Sequence, residues 1–293
     1  TVCFETRMDS LLSENGRLVG VRAMTPDGAR EWETRAVILA VGHSARDTFQ
    51  SLVNQNIALS SKPFAVGVRI EHLQSEIDRV QYGGTIPRLG AADYKLAVHL
   101  PYLQSSLSCG GSSLGGLTSQ GKQGSGVYTF CMCPGGQVVA AASEEGGVVT
   151  NGMSHHARDG RNANSAISVS VFPEDFGGTP RGALAFQRGI EEAAFRAGGG
   201  DYAVPLVTLG DFLCGRCDTF PSRIQSTYMG GDAYRLASPD AYLPGFVTAA
   251  LRDAFPAFGS KIRGFDTSDA LLSGAETRTS APIRILRADE TRT

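Results

Sequence analysis

The sequence has little charge and no long apolar segment, and each shortage excludes a class of protein. Charged residues make up 19% of the 293-residue chain, and 27 basic and 29 acidic residues leave a net charge of −2. A balance this close to neutral excludes general nucleic-acid binding and polybasic membrane binding as the default function. The longest apolar run, Ala36–Val41, is far shorter than the roughly 18 residues of a membrane-spanning helix, so we predict no transmembrane segment.

Cysteine is also scarce, whereas glycine is abundant. Six cysteines in a chain of this length are too few for a disulfide scaffold, which favours a reducing compartment. The 36 glycines exceed the usual share of about 7%, and this excess is typical of turn-rich sheet proteins and of nucleotide-binding proteins. Because the chain begins without Met and ends without an obvious final element, we expect a fragment of a longer protein.

The first 61 residues have the pattern of part of a nucleotide-binding domain. The turn signals Asn15-Gly16 and Pro26-Asp27-Gly28 predict a β-meander. The run Ala36–Val41 is apolar on both faces and predicts a central parallel strand that ends at Gly42, before a helix over residues 45–55. A glycine between a strand and a helix N-terminus suits close approach to a ligand, although such a junction is often purely structural.

Strand patterns dominate from Lys62 onwards and predict a larger, mixed-sheet domain. Alternation predicts strands over residues 64–71, 94–100, 127–133, 137–143 and 166–172, and helical spacing predicts helices over residues 184–197 and 246–255. Pro134-Gly135-Gly136 predicts a turn between two of these strands. Residues 104–126 are rich in glycine and serine without periodicity, and we predict a disordered insertion there.

Two pairs of cysteines are candidates for chemistry. Cys131 and Cys133 share a face of a predicted strand, where they could be redox-active thiols, soft metal ligands, contacts to a ring or simply small buried hydrophobes. Cys214 and Cys217 add a C-x-x-C spacing, and four thiolates could form a zinc site. Cys131-x-Cys133 is geometrically poor as a zinc knuckle, so we predict no metal site.

Two polar stretches are candidates for ligand binding. Residues 150–165 are rich in amides and hydroxyls and are predicted to form a loop that could order a polar ligand or cap its own turns. Further on, Glu276, Arg278 and Ser280 alternate and so line one face of an extended segment. The planar fork of arginine suits phosphate or a carbonyl-bearing ring, and the alternative is a salt-bridged surface strand.

Taken together, several stretches resemble one family. In chain order they are Ala40–Phe49, Lys62–His72, Ala92–Leu96, Phe130–Gly136, Ala140–Gly146, Thr150–Ser154 and Glu276–Ser280. The chain resembles the FAD-dependent dehydrogenases, or NAD(P)/FAD-dependent oxidoreductases, of bacteria and plastid-bearing eukaryotes. Ala40-Val41-Gly42 is similar to the second cofactor motif of flavoproteins of the two-dinucleotide-binding type, whose usual form is Ala-Thr-Gly.

The resemblance implies an α/β plus α+β fold, in which part of a Rossmann-like FAD-binding domain is interrupted by a domain that covers the flavin. Residues 1–61 and 273–293 would form the first domain, and residues 62–272 the second. The resemblance also implies that five residues lie near the FAD: Gly42, His43, Ser44, Arg278 and Thr279. Cys131 and Cys133 are the candidate catalytic residues.

Two parts of the family pattern are missing from the sequence. It contains no G-x-G-x-x-G turn to hold the FAD pyrophosphate, and no Gly-rich segment follows Glu276–Ser280. We therefore predict an FAD-dependent oxidoreductase of unknown substrate, present as a truncated chain, with NAD(P)H as a possible electron donor and the cytoplasm or a plastid as its compartment. The alternative is a non-catalytic fragment, or a module of the same fold that binds a ligand or partner.

Overall fold

The computed structural model describes residues 1–84, 89–100, 126–228 and 234–287, and its fold is mixed α/β with several sheets. Its strands are β1 Arg7–Glu14, β2 Arg17–Thr25, β3 Gly28–Glu33, β4 Leu59–Ser61, β5 Phe64–Leu73, β6 Ala97–His99, β7 Gly126–Ala140, β8 Thr150–Ser154, β9 Asn162–Val171, β10 Val204–Thr208, β11 Tyr234–Leu236, β12 Leu271–Glu276 and β13 Ile283–Ile285. Its α-helices are α1 Arg46–Asn54, α2 Gln74–Tyr82, α3 Pro180–Ala197, α4 Leu209–Cys214 and α5 Gly245–Lys261.

The chain divides into two units. The first comprises Thr1–Phe64, Phe172–Phe186 and Ser280–Thr293, and the second comprises Ala65–Val171 and Gln187–Thr279. In the first unit, β1, β2 and β3 form an antiparallel sheet, which confirms the predicted meander. Asn15 and Gly16 have φ angles of 49° and 75°, as a two-residue hairpin turn requires. The strands β4 and β13 form a separate antiparallel pair.

The apolar run Ala36–Val41 is not a strand, so the predicted central strand is wrong for this structure. Ile38 is 93% exposed and Val41 is 40% exposed. Among the described residues, no strand pairs with this run. A segment that is apolar on both faces becomes a central strand only where neighbouring strands cover it, and composition alone does not supply those neighbours. The Rossmann-like character of this unit therefore stays a prediction.

The second unit is built around one large sheet. Its strands follow the order β11-β10-β12-β5-β9-β7-β6, with β8 paired to β7 beside this path. Every residue of β5 except its last is buried, so this strand is covered on both faces. Helix α5 packs next to β6, β7 and β9, and its Phe255 and Phe258 are fully buried.

Three local predictions in this unit are wrong. Pro134-Gly135-Gly136 does not form a hairpin turn, because β7 continues through it as one strand of 15 residues with irregular register. Residues 150–154 and 162–165 belong to strands β8 and β9 and not to a loop. Helix α5 runs past Pro256 to Lys261. Residues 104–125 of the predicted insertion lie outside the described residues.

Within the part of the chain that the structure describes, we find no helix that combines the length and the apolar character needed to cross a membrane.

Candidate functional site

Strand β7 carries both candidate cysteines at a bulge. Phe130 pairs with Ala166 and Cys133 pairs with Asn164, so two residues of β7 oppose one residue of β9. Cys131 has a φ of 42°, a value that non-glycine residues seldom adopt. The Cys131 side chain is exposed, and that of Cys133 is half-buried with its Sγ 3.3 Å from the Cys131 carbonyl oxygen. The bulge thus presents one accessible thiol and one sheltered thiol.

A completely buried arginine, Arg69 of β5, organises the backbone and side chains next to this bulge. Its Nε donates to Glu276 Oε2 at 3.0 Å. One terminal nitrogen donates to Asn164 Oδ1 at 2.8 Å and to the Cys131 carbonyl at 3.3 Å, and the other donates to Asn151 Oδ1 at 3.3 Å. Five strands, β5, β7, β8, β9 and β12, therefore meet at one guanidinium group, which fixes their relative positions at the bulge.

The network around Arg69 is close to electrically neutral. Burial raises the pKa of the Glu276 carboxyl, and the Arg69 charge opposes this rise. Burial likewise raises the pKa of the Cys131 and Cys133 thiols, again against the pull of Arg69. The two cysteines are therefore protonated thiols at neutral pH and do not have the lowered pKa of an activated nucleophile.

Asn164 contributes a hydrogen-bond donor that the protein leaves unused. Its Oδ1 accepts from Arg69, which directs its Nδ2 away from the guanidinium. This Nδ2 is buried and has no hydrogen-bond partner among the described residues, and neither does Thr150 Oγ1. Buried donors are normally paired, so an unpaired one beside the bulge indicates a place for a water molecule or for an acceptor on a ligand.

Gly152 of β8 packs directly against this network. A Cβ at this position would lie 2.3 Å from both Arg69 Nη1 and Asn164 Oδ1, and 2.9 Å from Cys133 Sγ. Such distances are too short for any side chain, so the network and the Cys133 thiol pack directly against a bare backbone.

Replacing Gly152 with alanine is therefore expected to destabilise the protein by about 1–3 kcal/mol, because the added methyl group pushes the Arg69 and Asn164 side chains out of position. Urea unfolding monitored by circular dichroism measures this change. Gly189→Ala in helix α3 is the matched control, since no atom of the described residues outside the adjacent helix backbone lies within 4 Å of its Cβ position, and alanine favours a helix. Equal stability of Gly152→Ala and the wild type would contradict the packing described above.

A second buried carboxylate, Glu71, lies two residues after Arg69 on the same face of β5. It accepts hydrogen bonds from Asn162 Nδ2 at 2.9 Å, from Thr227 N at 3.1 Å and from Thr227 Oγ1 at 2.5 Å. Burial raises its pKa, and these donors oppose the rise. The Thr227 hydroxyl also accepts from Val138 N at 2.9 Å, so Glu71 ties the segment around Thr227 to strand β7.

Arg278, a predicted cofactor ligand, is held within the second unit by helix α3. Its Nε and one terminal nitrogen donate to the two carboxylate oxygens of Glu191 at 3.1 and 2.8 Å, and its other terminal nitrogen donates to Ser143 Oγ. Thr277 Oγ1 also bonds to Glu191, at 2.6 Å. Thr279 Oγ1 donates to the carbonyl of Ala65 at 3.3 Å. The alternative interpretation of this segment was a salt-bridged strand at the surface. Arg278 is indeed salt-bridged, but it is buried.

The other predicted cofactor residues, Gly42, His43 and Ser44, belong to the first unit. Gly42 has a φ of 72°, which favours glycine, and open space around its Cβ position. His43 Nδ1 lies 2.8 Å from Ser44 Oγ. It stays a prediction that these three residues, like Arg278 and Thr279, bind FAD.

The zinc alternative finds no support in the described residues. Nowhere in residues 1–84, 89–100, 126–228 or 234–287 do three histidine, cysteine, aspartate or glutamate side chains group as metal ligands would. Cys214 is exposed at the end of α4, and burial together with Asp211 and Asp218 raises the pKa of the Cys217 thiol.

The second unit is thus an antiparallel-rich sheet domain with a neutral, buried polar network behind a thiol-bearing bulge. Its sequence matches a family model described as "FAD-dependent protein, C-terminal domain-like" over residues 63–109 and 113–279, a range that includes the whole network. This match covers more than half of the chain, and the chain belongs to this family of FAD-dependent proteins.

One relative is about twice as long as this chain. The chain is 41% identical over 289 residues to an uncharacterized protein of Clostridium beijerinckii, and the match covers 98% of this chain and 49% of that protein. The chain therefore spans about half the length of the curated relative that it matches.

Proposed function

We propose that this chain is the flavin-covering part of an FAD-dependent oxidoreductase of unknown substrate. The observation that carries the proposal is the family match, since it extends over the bulge, the Arg69 network and the Arg278 segment. The length of the relative supports a protein in which other sequence holds the rest of the cofactor. We keep residues 1–61 and 273–293 as part of the FAD-binding domain and residues 62–272 as the covering domain.

The described residues suit the ring of FAD better than its pyrophosphate. For the ring they offer a rigid wall with an unpaired donor, Asn164 Nδ2, beside the exposed Cys131. For the pyrophosphate the sequence has no G-x-G-x-x-G turn, and the Arg278 guanidinium already donates to Glu191 and Ser143. We therefore place the ring at the bulge and assign its phosphate groups to protein outside this chain.

Each part of the network has its own task in this proposal. When bound, FAD accepts two electrons from a substrate or from a nicotinamide donor such as NAD(P)H. Arg69 orients the Asn164 amide, whose buried Nδ2 would be the donor available to an acceptor on the ring. Glu276 neutralises Arg69, so the wall adds no net charge beside the cofactor. Arg278 acts as a positioning residue, because it and its neighbour Thr277 are both hydrogen-bonded to Glu191.

Absorbance spectra test the proposal. We expect the 293-residue chain to purify colourless, because the pyrophosphate site lies elsewhere, and the full-length Clostridium beijerinckii relative to show the absorbance bands of bound flavin. Anaerobic addition of NADH or NADPH to that relative should then bleach these bands. A stably yellow 293-residue chain would show that the cofactor site is misplaced, and a colourless relative would favour a binding module without redox activity.

A further inference from the structure

Cys131 and Cys133 lie at the bulge in β7, where the strand departs from its regular geometry. In a regular strand such residues are separated by two rises of about 3.3 Å, whereas the Cβ atoms of a disulfide lie about 3.5–4.5 Å apart. At the bulge, the left-handed conformation of Cys131 breaks the regular alternation of side chains. The Cys133 sulfur lies 3.3 Å from the carbonyl oxygen of Cys131, which places it against the backbone of its neighbour.

The surroundings give the two thiols different tasks. Cys131 is exposed and can meet a molecule from solution, while Cys133 is half-buried beside Gly152 and the Arg69 side chain. This is the asymmetry of a thiol that exchanges with a substrate and a neighbour that resolves the resulting mixed disulfide. Burial raises the pKa of both thiols, so at neutral pH neither is held as a thiolate.

We propose that Cys131 and Cys133 form a reversible dithiol–disulfide pair that carries two electrons between the flavin and a substrate of the disulfide class. This inference rests on the proposed function, because that function supplies the flavin with which the pair exchanges electrons. In the oxidising direction, each thiol loses one hydrogen atom and an S–S bond forms, and the two electrons and two protons pass to oxidised flavin.

The reverse direction is balanced in the same way. The Cys131–Cys133 disulfide takes up two electrons and two protons from reduced flavin and opens to two thiols. Cys131 then attacks the substrate disulfide, which releases one substrate thiol and leaves a mixed disulfide. Cys133 attacks the Cys131 sulfur, which releases the second substrate thiol and closes the pair again.

A redox titration of the 293-residue chain tests whether the pair closes. The chain is equilibrated in glutathione buffers of stepped potential, quenched with acid, alkylated with iodoacetamide and digested with trypsin. Residues 123–158 form one tryptic peptide, and its only cysteines are Cys131 and Cys133. We expect this peptide to change from doubly alkylated to unalkylated and two hydrogen atoms lighter. Double alkylation at every potential would overturn the proposal.

A second measurement tests electron transfer to flavin. The reduced chain is mixed with free riboflavin without oxygen and in the dark, and loss of flavin absorbance is followed. We expect Cys131→Ser and Cys133→Ser each to slow bleaching at least tenfold, and Cys214→Ser, an exposed cysteine elsewhere, to leave the rate unchanged. Equal rates in all variants would overturn the relay to flavin.

The two proposals fail in different ways. If the relative carries no flavin while the disulfide forms and bleaches riboflavin, the proposed function is wrong and the redox pair stands. If the relative is yellow while the peptide of residues 123–158 stays doubly alkylated, the pair is wrong and the proposed function stands.

Discussion

Replacing Arg69 with methionine is expected to lower the free energy of unfolding by about 3–5 kcal/mol. The substitution leaves the buried Glu276 carboxylate without its countercharge and removes the donors to Asn164, Asn151 and the Cys131 carbonyl. Methionine fills much of the same volume, so the loss reports on charge and hydrogen bonding more than on a cavity. Equilibrium unfolding in urea, followed by circular dichroism, measures the change.

Two further variants separate the buried pair from ion pairs in general. The double variant Arg69→Met/Glu276→Met should be more stable than Arg69→Met, because it leaves no buried charge unpaired. Arg22→Met breaks the exposed Arg22–Glu31 pair at 2.6 Å and should cost less than about 1 kcal/mol. If Arg69→Met and Arg22→Met lower the free energy of unfolding equally, the buried Arg69 network does not stabilise the second unit more than an exposed ion pair does.

The parts of the fold that the sequence predicted are those with local causes. The Asn15-Gly16 hairpin follows from the positive φ angles that these residues tolerate, and helix α3 follows from the spacing of apolar residues over 184–197. The misses have non-local causes. Among the described residues no strand pairs with Ala36–Val41, whereas Pro134–Gly136 lies inside a strand because Gly136 pairs with both β8 and β9.

The residues of the candidate site that the sequence could indicate are those whose residue type and spacing are themselves unusual. Cys131 and Cys133 stood out by type and spacing, but their structural support did not, because Arg69 and Glu276 are 207 residues apart in the chain. One signal was available: Arg69, Glu71 and His72 interrupt an otherwise apolar strand, and buried charges such as those of Arg69 and Glu71 require partners. Polar composition suggests exposure to solvent and so predicts a loop over residues 150–165, whereas Asn162 and Asn164 are fully buried as partners of these charges.

Another buried polar residue, His72, is expected to make the protein sensitive to acid. Its Nε2 lies 2.7 Å from the carbonyl oxygen of Phe265, so this nitrogen carries the proton of the neutral ring. Its Nδ1 is buried and has no partner among the described residues. Protonation would therefore place an unpaired N–H and a positive charge in the core, and burial lowers the pKa of His72 to about 4.

The sign of the pH effect follows from where the proton binds more tightly. The unfolded chain binds a proton at His72 with a pKa near 6.5, and the folded protein binds it only near pH 4. Stability from this residue is thus fully present above pH 6.5 and is lost as the pH falls from 6.5 towards 4. The shift corresponds to about 3 kcal/mol. Glu76 and Asp269 act in the opposite direction on this pKa, and Arg223 acts in the same direction as burial.

Unfolding in urea at pH 7 and at pH 4 should therefore show that the wild type loses about 3 kcal/mol more than His72→Gln, whose side-chain amide can still donate to Phe265. Subtracting the variant removes the contribution of the carboxylates, which titrate in both proteins. His156→Gln alters an exposed histidine and should follow the wild type. If His72→Gln loses as much stability in acid as the wild type, His72 is protonated in the folded core, and a water molecule or an acceptor must reach its Nδ1.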